Sequence, residues 1–325
     1  MTRATKDRLE KRRAVRAATI RGHVFDLVMG EDAEVASAQS WLGATRGSRW
    51  NHVEQQLFAM LPKLKGDGRA VIIGVLLARG AEQHAVGLSR SRSAVRRCRG
   101  TYRLGMLGLG AHFELIVRLL ADRKFLVRRV AVRALGNLGD PRAVRPLLVL
   151  GQHDNRLARD LVFALGRMGG GVAPELRRVL AEEIDSGEHL HLDPAAAVLG
   201  LLGDTDSVEI LAAGLRSENP SFAGACAEAL GRIGSPEAIP ALVEALLDFR
   251  PNVRAAAAHA LGAVGSSAAL SNLIDVVDEE EPQVSRQAAQ ALLDLGPAAR
   301  ELLERSESAY AVEALALDKI RVGRR

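Results

Sequence analysis

Aromatic residues are scarce in this chain, at 3% of 325 residues, and that scarcity is the first constraint on its fold. A core short of phenylalanine, tyrosine and tryptophan has to be filled by alanine, leucine, valine and isoleucine. Apolar residues still make up 48% of the sequence, which excludes wholesale disorder. Small side chains let helices approach closely, which suits stacked helices better than a sheet of β-branched and aromatic residues. Cysteine is scarce too. Cys98 and Cys226 form neither a disulfide framework nor a metal pattern, which points to a reduced, intracellular compartment. No apolar run approaches the roughly 20 residues of a membrane span, Val71–Ala78 being about the longest. The basic start is not followed by the apolar segment of a signal peptide. Nucleophile elbows, phosphate-binding glycine loops and zinc-ligand spacings are missing as well. The run Gly169, Gly170, Gly171 lacks a preceding strand. The expectation is a protein without catalytic residues, metal or cofactor.

What the chain does have is an uneven charge and a repeat. Residues 1–110 hold 20 lysines and arginines against 9 acids, a net +11, while the remainder holds 24 against 30, a net −6. A basic N-terminal third on an acidic body suggests an anionic partner at one end.

The pattern Leu-Gly-x-apolar-Gly occurs at Leu104–Gly108, Leu135–Gly139, Leu165–Gly169, Leu199–Gly203, Leu230–Gly234 and Leu261–Gly265. It occurs once more as Leu292–Gly296, with Leu293 in place of the first glycine. The closing glycines are spaced by 31, 30, 34, 31, 31 and 31 residues, the signature of a solenoid built from repeated supersecondary units. Each unit reads as two helices, typified by Pro236–Asp248 and Pro251–Val264. In the second, Val253, Ala256, Ala257, Ala260, Leu261 and Val264 recur at the three-and-four spacing of one buried stripe. Prolines 141, 236 and 251 stand where a helix needs no N–H. The closing glycine fits a left-handed cap. The earlier glycine (Gly136, Gly231, Gly262) lowers helix propensity by about 1 kcal/mol, and it implies close backbone contact between neighbouring helices.

Units such as Val127–Gly139, followed by Asp140-Pro-Arg-Ala-Val, resemble HEAT repeats of the short bacterial, phycobilisome-lyase-like class, over about residues 88–323. The resemblance implies an all-α, HEAT-type superhelical solenoid of about seven to eight units over residues 88–325. Residues 1–87 form a diverged helical N-terminal cap. Within that region the helices expected are about Lys6–Met29, Asp32–Leu42, Ser48–Leu64 and Arg69–Arg79. The resemblance is weak for function, because the class includes scaffolds, chromophore lyases, hydroxylases and DNA-repair proteins. It also implies structural pairs of an acid ending the first helix with an arginine of the second, matched by Asp122 with Arg128 and Asp248 with Arg254. None of the eight histidines is followed by glutamate, unlike the hydroxylases of the class. The stretch Leu61–Gly66 before an arginine-rich helix and repeats is similar to some bacterial membrane-anchored HEAT-repeat proteins.

Two surfaces stand out as candidates. Arg92, Arg96, Arg99 and Arg103 are spaced as one helical stripe, with Arg97 and Arg90 beside it. No acid occurs between Glu82 and Glu114. Such a stripe attracts phosphates, lipid headgroups or an acidic protein face, unless its members pair with acids of the N-terminal region. The second surface is the column preceding the Ala-Leu-Gly anchor: Tyr102, Arg133, Phe163, Ala197, Glu228, His259 and Gln290, placed on an inner groove. Weaker candidates are Trp41 and Trp50, which read as core, and His189-Leu-His191 with Asp185, Glu188 and Asp193 in the lengthened unit. The acidic run Asp275–Glu281 reads as a solvated face, and Cys226 as a small apolar core residue.

Taken together, these features predict a non-catalytic protein-binding scaffold or adaptor in the cytoplasm, at the membrane face, whose partner has an acidic surface. An anionic membrane surface or a membrane-protein complex is a further expected partner. The alternatives are a nucleic-acid-binding helical-repeat protein of the DNA-glycosylase kind, and a lyase-like enzyme with a deep polar pocket. The acidic body and the few aromatics disfavour nucleic acid.

Overall fold

The computed structural model describes residues 18–186 and 191–322. Helices and short 3₁₀ turns make up its regular structure, with no strand among the described residues. The chain divides into two compact units, residues 1–134 and 135–325.

In the first unit, α2 (Asp32–Ala44), α3 (Gly47–Met60) and α4 (Gly66–Ala78) follow the expected helices closely, and α1 (residues 18–29) matches the later part of the first, whose beginning at residues 6–17 lies outside the described residues. Their core is built from Ile20, Val24, Leu42, Leu57, Ile72 and Leu76, with Trp41 and Trp50 packed half-buried against it. His23 stacks on Trp41 with ring centroids 4.3 Å apart, and the Arg79 guanidinium lies 4.2 Å from the centre of the Trp50 ring. Both tryptophans are therefore core residues. Next comes α5 (Ala81–Ser89), which the sequence reading did not place, then α6 (Ala94–Leu107), α7 (Phe113–Arg118) and α8 (Phe125–Leu138). Gly100 of α6 is required by α5, since a Cβ there would lie 2.4 Å from the Ser89 nitrogen. No single described helix is long and apolar enough to cross a membrane, and α4 and α5 pass that test only as a pair bent by 75°.

The second unit continues the alternation. First helices α9 (Val144–His153), α11 (Ala173–Ser186), α13 (Val208–Gly214), α15 (Ile239–Ala245), α17 (Leu270–Asp275) and α19 (Pro297–Arg305) alternate with second helices. The latter are α10 (Ala158–Arg167), α12 (Asp193–Leu202), α14 (Pro220–Ile233), α16 (Pro251–Val264), α18 (Pro282–Asp294) and α20 (Ala309–Val322). The segment Pro236–Asp248 is not one continuous α-helix: a 3₁₀ turn over Pro236–Ala238 precedes α15. The same device opens neighbouring units, where Asp140, Ser235 and Ser266 accept a hydrogen bond from the N–H two residues on. These short polar side chains stabilise the turn after the glycine.

All seven closing glycines adopt left-handed backbone, with φ between 65° and 98°. The earlier glycine does bring backbones together. A Cβ on Gly231 would sit 2.8 Å from Ala260 Cα, and one on Gly262 would sit 2.7 Å from Ala291 Cα. Gly105 meets Ala134 in the first unit, while Gly136 meets Ala164 and Gly200 meets Ala229 in the second. Gly166 is the exception, with open space where its Cβ would lie. It precedes the lengthened 34-residue interval.

Candidate functional site

The turn before α6 and the helix itself sort the arginine cluster into two kinds. Arg97 is committed inside the first unit. Its Nε and Nη2 donate to the Asp122 carboxylate at 2.7 and 2.9 Å, and Nη1 donates to the carbonyls of Ser91 and Arg92. Burial opposes the Asp122 charge, yet the arginine bonds and the Lys124 N–H outweigh it, leaving that carboxyl below its usual range. Arg103 is 4% exposed. Its Nη2 donates to Glu54 on α3 at 2.8 Å, Nη1 lies 3.1 Å from His84 Nδ1, and the guanidinium sits over the Phe58 ring. Arg97 and Arg103 are thus corrected from partner contacts to internal ones, because Asp122 in the turn before α8 and Glu54 on α3 bind them.

Arg90, Arg92, Arg96 and Arg99 are exposed, and among the described residues none has an ion-pair partner. Val95 on the same face is 71% exposed, and Tyr102 is 40% exposed with its hydroxyl 3.5 Å from the Phe58 carbonyl. Position 96 is apolar and buried in most other units, as at Val127, Leu157, Phe222, Val253 and Val284, the lengthened unit having His191 there. In α6 no preceding repeat covers it, and its arginine reaches solvent.

The implied acid–arginine pairs take a different form. Arg128 and Arg254 donate to the backbone carbonyls of Asp122 and Asp248, whose carboxylates are bonded by Arg97 and Arg250. The side chain of Asp248 is held by Arg250, whose hydrogen bond keeps the carboxyl below its ordinary range. Arg254 extends to Glu279 of the next unit at 2.8 Å, as Arg97 extends to Asp122. Each such arginine ties one turn to the turn that follows. Ser285 replaces it in the next unit and donates to the Glu279 carbonyl.

The inner-column residues lie on second helices. Arg133 is exposed on α8, and Phe163 is 60% exposed on α10. Glu228 and His259 border a cleft of about 470 Å³ in the second unit, which also takes in Ser221, Asn252, Gln283 and Asp193. Gln290 is not part of that lining; its amide donates to Asp294 of its own helix at 3.0 Å. An adjoining cleft of about 430 Å³ shares Asp193, Ser221 and Ala225, and takes in Val162 and Ala197. Sequence reasoning missed Ser221, Asn252 and Gln283. A second column taken at the residue after each helix-opening proline (Pro220, Pro251, Pro282) would have found them.

Of the histidine motif in the lengthened unit, Glu188 and His189 lie outside the described residues. Among those described, no three metal-binding side chains gather into one site. Cys226 is buried, and burial pushes its thiol well up.

A family model of HEAT repeats matches residues 179–250, 215–294 and 243–318, and one of PBS lyase HEAT-like repeats matches residues 127–150. This chain is a HEAT-repeat protein. Among solved structures, this HEAT-repeat chain is similar to the Kap95p–RanGDP complex at 13% identity, covering 92% of this chain and 45% of that one, with a TM-score of 0.52. The likeness shows the all-α solenoid fold. Other similar structures are the CpcE–CpcF phycocyanin lyase complex of Nostoc sp. PCC7120 (23% identity, 73% of this chain and 92% of that one, TM-score 0.35) and human deoxyhypusine hydroxylase (21%, 87% and 97%, TM-score 0.35). No curated protein sequence matches the chain.

Proposed function

We propose that this HEAT-repeat protein is a non-catalytic scaffold that binds an acidic face of another protein through Arg92, Arg96 and Arg99. The observation that supports this is the division within one helix. Two arginines are neutralised internally, whereas among the described residues the arginines facing solvent form no ion pair. Unpaired guanidinium groups interleaved with exposed Val95 and Tyr102 combine charge steering with apolar and aromatic contact area, a combination frequent at protein interfaces. The solenoid fold agrees with such a role, and Kap95p, which shares it, binds RanGDP. The clefts of the second unit are open grooves on its second helices. The lyase-like alternative requires a deep pocket with convergent groups.

Affinity capture with mild crosslinking, using wild type and an Arg96→Glu/Arg99→Glu variant as baits, tests the proposal. The expected result is a protein partner lost with the variant and weakened by salt. Identical partners on both baits would overturn it. So would a wild-type chain that retains only nucleic acid, or that floats with anionic phosphatidylserine vesicles while retaining no protein.

A further inference from the structure

The cleft of the second unit has the opposite character to α6. On α14, α16 and α18 the residue after the opening proline is polar: Ser221, Asn252 and Gln283, each 31 residues from the next. Seven residues further on, two turns along the same face, stand Glu228 on α14 and His259 on α16. Gly224, Ala225 and Ala256 lie between the two rows and keep the floor low. The lining holds two carboxylates, Asp193 and Glu228, and neither lysine nor arginine; Glu228 also lies 3.5 Å from Arg232, one turn along α14, an exposed pair that a ligand cation can join or replace.

Asp193, at the start of α12, bounds one end. Its Oδ2 accepts a hydrogen bond from the Ser221 hydroxyl, while its Oδ1 is buried with no hydrogen-bond partner. A carboxylate oxygen withdrawn from water and without a donor among the described residues is unfavourable, and a cationic N–H donor offsets that. The second cleft shares Asp193 and Ser221, so the groove continues toward α10.

The spacing of the rows selects a backbone. Packed helices lie about 8–10 Å apart, so polar groups recur along the stack at that interval. A polyproline-type chain rises about 3.1 Å per residue with three residues per turn, and presents the same face every 9 Å or so. A β-strand presents its face about every 6.7 Å and falls out of step. The polyproline backbone has no internal hydrogen bonds, whereas carboxamides both donate and accept. Asn252 is already held through Nδ2 by the Pro220 carbonyl at 3.3 Å, which leaves its oxygen for a peptide N–H.

We propose that this cleft binds an extended, polyproline-type peptide segment with a basic side chain, its cation seated against Asp193 and Glu228. The site is independent of the arginine face of α6.

The probe is a fluorescein-labelled nine-residue peptide of three Pro-Pro-Arg repeats, titrated with the full chain by anisotropy. The expected result is saturable binding, weakened at least about tenfold by Asp193→Asn/Glu228→Gln. Arg96→Glu/Arg99→Glu should leave it unchanged. Because Asp193 holds Ser221, the exposed positions are also measured alone: Glu228→Gln and Asn252→Ala should each weaken binding about threefold or more. Three results would overturn the proposal: no binding at about 1 mM chain, equal affinity for a peptide of Gly-Gly-Arg repeats, or unchanged affinity in the Glu228 and Asn252 variants. Preference for Pro-Pro-Glu repeats would overturn it as well.

Discussion

The face that α6 turns toward the N-terminal helices and the faces joining α14, α16 and α18 use the same repeat position in opposite ways. Five residues before the closing glycine stand Ala229, Ala260 and Ala291, each meeting the backbone of a glycine in the preceding unit. The equivalent residue of α6 is Arg103, buried against Glu54, His84 and Phe58. Where repeat meets repeat, two helices can close to backbone contact and the smallest side chains fit. Where a repeat meets a helix of different sequence there is no matching groove, and a long side chain with a charged tip fills the gap. A buried pair of this kind specifies geometry more than it adds stability.

That contrast can be broken most strongly at Arg103. Arg103→Met should lower stability in urea unfolding by about 3–5 kcal/mol, since Glu54 is left buried and uncompensated, and adding Glu54→Met should restore most of the loss. If the double variant is no better than the single, the pair contributes net stability and the comparison fails. The next effect is at the glycines. Gly231→Ala should destabilise by about 1–3 kcal/mol through overpacking against Ala260, whereas Gly166→Ala, in open space, should gain up to about 1 kcal/mol from helix propensity. Thermal melts of the two variants, opposite in sign, sharpen the point.

A smaller, pH-dependent effect belongs to the turns. Arg250 holds the Asp248 carboxyl below its ordinary value, so the folded state binds that proton less tightly than the unfolded chain. The resulting stability is present above the unfolded pKa, about 3.9, and is lost as pH falls through the folded value. The difference in urea midpoint between wild type and Asp248→Asn should therefore be full at pH 7 and shrink toward zero in strong acid. The smallest effect is expected at Arg96 and Arg99. Their reversal to glutamate should move stability by no more than about 0.5 kcal/mol, because exposed side chains without partners have little to lose. A large loss would mean that they too are structural.

Much of the repeat was legible because its signals are local. Closing glycines, opening prolines and the buried Val253, Ala257, Ala260 and Leu261 of α16 all lie within one unit, and the periodicity exposed them, although Ala256, expected in the same stripe, lines the cleft and Val264 is half-buried. The role of the inner glycine was readable for the same reason. What escaped depends on residues far apart in sequence. Arg103 looked like its neighbours Arg96 and Arg99 because Glu54 lies 49 residues earlier, in helices outside the pattern. Arg128 and Arg254 matched an expected spacing, yet each reaches the backbone carbonyl of its expected acid, while Arg97 and Arg250 hold the carboxylates of Asp122 and Asp248. The groove row Ser221, Asn252 and Gln283 varies in residue type from unit to unit. A consensus of residue type does not show it, whereas the column after each opening proline does.

The open space beside Gly166 has a mechanical meaning. From α12 to α18 each second helix is keyed to the next by a glycine pressed on an alanine, an interlock that resists sliding and bending. The α10–α12 joint lacks that key and falls at the 34-residue interval. A stack of stiff elements in series concentrates its deformation at its weakest joint. The α10–α12 joint should therefore bend more easily than the keyed joints from α12 to α18, at the edge of the groove that Asp193 bounds.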